Sequence, residues 1–235
     1  MVADAVIYHP TVSHYLKFVA TTTGRDKVLR TLQYFARFYA WYLYRTNNPQ
    51  SAIAPYDAIK KNFGLTRKIL RFGKVVEHVK AAAIAADAKG GDEVLRVCAV
   101  GRQLGYAGYM FLDHLTMLDS AGIRPSPNAK RIQREAYKAW LAALTFSAVA
   151  GVYKLYGQQQ RARTLNKQEA EGAVEVKKLE RERGETTRQL ISDLCDITVP
   201  TFALGYSNVL DDGLVGLAGT LSSILGLVQQ WQKTA

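Results

Sequence analysis

The stretch LTRKILRFGKVVEHVKAAAI, residues 65–84, decides the fold class of this 235-residue chain. On a helical wheel its apolar side chains occupy one arc of about 120° and its charged side chains lie opposite. The apolar arc holds Leu65, Ile69, Phe72, Val75, Val76, Val79 and Ala83. The polar arc holds Arg67, Arg71, Lys74, Glu77 and His78, with Lys68 and Lys80 at its borders. This pattern predicts one continuous amphipathic helix.

The charge of this predicted helix indicates what it binds. Five Lys or Arg residues against one Glu leave a net charge of +4. Lysines at the border of an apolar arc can extend along an apolar surface and reach lipid headgroups. We therefore predict a helix at the interface of an anionic membrane, bound through Arg67, Lys68, Ile69, Arg71, Phe72, Lys74, Val75, Val76, Val79 and Lys80. The alternative is that the same stripe forms the inner face of a helix bundle.

Two more helices are predicted on the N-terminal side, over residues 11–22 and 25–44, and Pro55 predicts a turn after them. In the longer one, eight apolar residues share a face: Val28, Leu29, Leu32, Phe35, Phe38, Tyr39, Tyr42 and Leu43. Arg30, Gln33, Arg37 and Arg45 lie opposite them. Tyr34, Trp41 and Tyr44 fall on the polar side, where aromatic residues suit a wet interface.

The C-terminal half becomes apolar. Residues 92–119 form a mostly apolar helical run, and residues 139–153 and 213–228 carry no charge. Both uncharged runs are shorter than the roughly 20 residues that a membrane-spanning helix ordinarily needs. The 139–153 run is therefore either a short membrane segment or the core helix of a soluble bundle. Between the two runs, residues 158–189 have mixed charge, which is typical of a solvated helix or linker.

The sequence as a whole predicts an all-α, helical membrane-associated protein with amphipathic N-terminal helices and one or two short C-terminal transmembrane or membrane-embedded helices. No stretch alternates as a multistranded sheet would. Net charges of +9, +3, +2 and −3 distinguish four regions, residues 1–90, 91–157, 158–189 and 190–235. The basic N-terminal region indicates an anionic partner, either lipid headgroups or nucleic acid.

Catalytic, metal and cofactor sites are not expected. The four histidines have no cysteine or paired carboxylate at metal-ligand spacing, and neither Cys98 nor Cys195 belongs to a CxxC motif. Asp113 and His114 are adjacent, so they point in different directions on a helix. No Walker loop and no GxGxxG motif occurs.

Three motifs resemble those of the peroxin eleven family of peroxisomal membrane-elongation proteins. The first comprises Gly24, Arg25, Asp26, Lys27, Arg30, Gln33 and Tyr34. The second is the basic run from Arg67 to Lys74, which resembles that family's amphipathic helix, with Phe72 where a smaller aliphatic residue would be expected. The third is the stretch from Tyr109 to Gly122. The order of these motifs matches along nearly all of the chain.

The resemblance implies a protein that tubulates the peroxisomal membrane before division, with both termini in the cytosol. It also implies self-association and cooperation with a dynamin-type GTPase and its membrane adaptor.

Two other functions stay open. One is a pore for small metabolites, for which Arg102, Asp113 and His114 are the suggestive polar residues. The other is a basic helical protein that binds nucleic acid, in which the aromatic residues between 30 and 45 would stack on single strands. This function is disfavoured because those aromatic residues also fill an apolar arc.

Overall fold

The computed structural model describes residues 7–164 and 170–235, and these residues form α-helices without any strand. Residues 1–6 and 165–169, which belong to the predicted 1–90 and 158–189 regions, lie outside the described residues. The helices are α1 (Pro10–Ala20), α2 (Thr22–Arg45), α3 (Gln50–Leu70), α4 (Lys74–Asp87), α5 (Glu93–Leu115), α6 (Met117–Ser120), α7 (Ala129–Thr164), α8 (Ala170–Leu204) and α9 (Asp212–Lys233). The all-α prediction is confirmed, whereas the division into four regions stays a prediction.

The first of two compact units comprises residues Met1–Phe72, Met117–Pro125 and Ser207–Ala235. In it, α2 packs against both α3 and α9. Contact with α9 is close because glycines face the α2 side chains. A Cβ atom on Gly216 would lie 2.5 Å from the Phe38 backbone nitrogen, and one on Gly219 would clash with the Tyr34 ring. Small residues that let two helix backbones approach are common in membrane proteins.

The second unit comprises residues Gly73–Thr116 and Ser126–Tyr206. Here α5 packs against α4 and α7, and α7 also packs against α8. Gly105 permits the close approach of α5 and α7, since a Cβ atom there would lie 2.8 Å from that of Ala143. The Ser147 hydroxyl donates a 2.6 Å hydrogen bond to the buried Asp193 carboxylate, which joins α7 to α8.

The pattern of burial differs from that of a water-soluble bundle. On α9, every exposed residue from 213 to 228 is apolar: Leu214, Leu217, Leu221, Ile224 and Val228. The buried face of the same helix consists largely of glycine and serine. Two helices, Ala129–Arg163 and Asp212–Lys233, are long and apolar enough to cross a membrane. The uncharged 139–153 run thus lies within a much longer helix than its own length suggested.

Two details of the sequence prediction are wrong. Pro55 lies inside α3 rather than at a turn. Tyr34 is buried against Gly219 rather than placed at a wet interface. For Tyr34, packing against α9 outweighs the local signal.

Candidate membrane-binding surface

The stretch 65–84 is two helices, so the prediction of one continuous helix is wrong. α3 ends at Leu70 and α4 begins at Lys74. Gly73, between them, has a φ of 83°, in the left-handed region that suits glycine. The backbone N–H of Phe72 bonds to the Ile69 carbonyl, which closes the last turn of α3. The helix-breaking signal was therefore present in the sequence as Gly73.

On the α3 side of this break, apolar and basic residues are separated. Phe72 is 75% exposed and Ile69 is also exposed, whereas Arg67 and Lys68 are buried. The Lys68 ammonium group donates a 3.1 Å hydrogen bond to the Ser120 hydroxyl on α6. Arg67 and Lys68, two of the ten predicted membrane-binding residues, therefore direct their charge into the first unit. The predicted membrane-binding surface is reduced to the other eight residues.

The buried Arg67 forms an ion pair with Asp26 of α2. Its Nε lies 3.0 Å from the Asp26 Oδ1, and its Nη1 donates a 2.7 Å hydrogen bond to the Gln33 side chain. This buried pair connects α2 to α3.

On the other side of the break, α4 has two distinct faces. Ala82 is buried, and His78 bonds to Gln103 at 2.8 Å and stacks on Tyr106, so this face packs on α5. Val76 is 72% exposed and Val79 is exposed as well. The outward face thus carries apolar side chains, and the exposed Lys80 lies next to Val79 in the sequence.

The remaining predicted membrane-binding residues are accessible to different degrees. Lys80 is exposed, whereas Arg71, Lys74 and Val75 are half-buried. The stripe is therefore not the inner face of a bundle over its whole length, because the side chains of Ile69, Phe72, Val76 and Val79 are exposed.

The first motif builds the interior of the first unit. Besides the ion pair, the Arg30 guanidinium donates a 3.2 Å hydrogen bond to the Ser222 hydroxyl of α9, and Tyr34 packs on Gly219. The Lys27 side chain reaches α9, where a Cβ atom on Gly226 would lie 2.9 Å from its Nζ.

The first two residues of the motif contact the end of α1. Gly24 leaves no room for a Cβ atom beside the Phe18 carbonyl, and the Arg25 Nε donates a 2.6 Å hydrogen bond to the Val19 carbonyl. The local pattern of a helix does not reveal these partners, because Asp26 and Arg67 are 41 residues apart.

Asp113 in the third motif is also structural. It is buried, and its Oδ1 accepts a 3.2 Å hydrogen bond from the Gln133 amide of α7. The His114 Nδ1 lies 2.5 Å from the Met110 carbonyl of its own helix. Among the described residues, no group of three or more His, Cys, Asp or Glu side chains could hold a metal ion.

Comparison with known proteins gives the chain its family. Residues 12–231 match the family model described as peroxisomal biogenesis factor 11 (PEX11). The chain belongs to this family. The similarity extends over complete relatives: peroxisomal membrane protein PMP27 of Saccharomyces cerevisiae is 30% identical, and the match covers 100% of both chains.

Other PEX11-family relatives give the same result. Peroxisomal membrane protein PMP30A of Candida boidinii is 30% identical over 100% of this chain and 99% of its own. Peroxisomal biogenesis factor 11 of Schizosaccharomyces pombe is 23% identical over 97% of this chain and 98% of its own. No solved structure matches the chain. The resemblance found from the three motifs is thereby confirmed.

Proposed function

We propose that this protein elongates the peroxisomal membrane by inserting exposed apolar side chains into its outer leaflet, those of the outward face of α4 in the second unit and those of Ile69 and Phe72 in the first, and so promotes peroxisome proliferation and fission. The relatives are peroxisomal membrane proteins and biogenesis factors by name, which supports both the location and the process. The observation that carries the mechanism is the exposure of Val76, which lies on a helix whose opposite face is packed.

Apolar contact contributes more to this insertion than charge does. With Arg67 and Lys68 buried, Arg71, Lys74 and Lys80 against Glu77 leave a net charge of +2. Each Lys or Arg near an anionic leaflet contributes about 1 kcal/mol at low salt. Full burial of a Val, Ile or Phe side chain is worth about 1.5 to 3 kcal/mol, and interfacial burial about half of that. Four exposed apolar side chains therefore exceed the electrostatic contribution.

Insertion of this kind requires no catalysis. It expands one leaflet relative to the other and so favours positive curvature. The proposal includes anionic lipids as the direct partner, self-association, cooperation with a dynamin-type GTPase and its adaptor, both termini in the cytosol, and no nucleic acid, enzyme activity or cofactor. The relatives' names favour neither the pore nor the nucleic-acid alternative.

The test is remodelling of liposomes by the full-length protein. We expect Val76→Glu to abolish tubulation of vesicles that contain anionic lipid, because a carboxylate replaces the most exposed valine of α4. Electron microscopy of the vesicles would measure tubule length and number.

Val174→Glu is the matched control. Val174 is 70% exposed, nearly the same as Val76, but it lies in the charged part of α8. The control is expected to tubulate like the unmodified protein. Normal tubulation by Val76→Glu, or equal loss in both variants, would contradict the role of the α4 face.

A further inference from the structure

The outward face of α2 is apolar despite the charges of this helix. Between residues 26 and 44, only Leu32, Phe35, Tyr42 and Tyr44 are exposed. Leu32 is 46% exposed and Phe35 is 48% exposed. A surface helix of a water-soluble protein has the opposite arrangement, with charged side chains outside.

The charged residues in this part of α2 are directed into the first unit. Asp26 pairs with Arg67 of α3, and Arg30 is buried beside Ser222 of α9. Arg37 forms a 2.6 Å ion pair with Asp212 at the start of α9. Ionisable residues of membrane helices are placed in this way, facing neighbouring helices and paired. The charge therefore does not keep α2 out of a membrane, although it lowers the helix's average hydropathy.

The depth of this face follows from the contacts with α9. Phe38 lies opposite Gly216, Tyr34 opposite Gly219, and Arg30 opposite Ser222. Leu32 and Phe35 lie between Arg30 and Phe38 along α2, so they are level with the middle of α9. α9 is apolar and long enough to span a membrane. At 24 residues, α2 is about 36 Å long, comparable to the bilayer hydrocarbon core of roughly 30 Å.

We infer that α2 is embedded in the membrane beside α9, with Leu32 and Phe35 in contact with lipid acyl chains. The occupant of this face is lipid because it lies at the depth of the Leu217 and Leu221 side chains, which α9 exposes. The inference goes beyond the insertion of α4 and does not depend on it. If the inference is correct, α2 is an integral part of the membrane-embedded protein.

Spin labelling of the full-length protein in liposomes tests this inference. Single cysteines would replace Leu32, Phe35, Leu217 and Val209 in turn, in a background where Cys98 and Cys195 are alanine. Leu217 is the reference on the candidate span. Val209, exposed in the non-helical segment before α9, is the aqueous reference, because irregular backbone is not exposed to the lipid core. The measurement is accessibility to oxygen, which partitions into lipid, and to a water-soluble nickel complex.

The expected result at Leu32 and Phe35 is an oxygen-to-nickel accessibility ratio matching that at Leu217 and several-fold above that at Val209. A ratio matching Val209 would place the α2 face in water and overturn the inference. Low accessibility to both reagents would mean that protein, such as a second copy, covers the face, and would overturn it too. Tubulation by the cysteine variants is measured in a separate assay. A failure of the inference about α2 is therefore distinguishable from a failure of the α4 mechanism.

Discussion

At the scale of single residues, the ion pair between Asp26 and Arg67 is the most consequential contact of the first unit. Removing one partner of a buried ion pair leaves the other charge uncompensated, which typically costs about 3 to 5 kcal/mol. We expect Asp26→Leu to lower the free energy of unfolding in detergent by about 3 kcal/mol on this basis. Denaturant titration followed by circular dichroism would measure it.

Two variants serve as controls for this loss. Asp57→Leu removes a surface partner of Lys60 on α3, and an exposed pair of this kind contributes less than about 1 kcal/mol. The double variant Asp26→Leu with Arg67→Leu should regain stability relative to Asp26→Leu, because no unpaired charge remains. Equal effects of Asp26→Leu and Asp57→Leu would mean that the ion pair is not important for stability.

At the scale of elements, the packing of α2 on α9 depends on small residues. In Gly216→Ala the new Cβ atom would meet the Phe38 backbone, which cannot move aside as a flexible side chain can. Overpacking of this kind usually costs about 1 to 3 kcal/mol. Gly184→Ala, in α8 with nothing near its new Cβ atom, should instead stabilise its helix by up to about 1 kcal/mol. Thermal unfolding in detergent would compare the two, and equal shifts would argue against the close α2–α9 contact.

The helices themselves could be predicted because apolar periodicity reports helix existence well. Residues 11–22 and 25–44 match α1 and α2 to within three residues. The face of α2 that packs on its neighbouring helices could not be predicted in the same way. Periodicity identifies the apolar face of α2, but only part of that face turns outward: Leu32 and Phe35 are exposed, while Leu43 is buried. The polar network around Arg67 was missed because no local pattern links residues so far apart in sequence.

At the scale of the whole molecule, the number of membrane crossings determines where the charged stretch lies. If α9 crosses the membrane and the C-terminus is cytosolic, a tag inserted near Gly172 lies in the lumen. We expect such a tag to resist protease in intact peroxisomes and to be digested once detergent opens the membrane. The positive-inside tendency opposes this arrangement, since residues 158–189 have a net charge of +2. Digestion in intact organelles would contradict this placement of the stretch between α7 and α9.

The pairing of Arg37 with Asp212 joins residues that lie 175 positions apart. Ribosomes add about 5 to 20 residues per second, so α2 emerges roughly 9 to 35 s before its partner helix is synthesised. During that interval its arginines have no α9 to pack against. The ion pair that joins α2 to α9 can therefore form only after α9 has been synthesised.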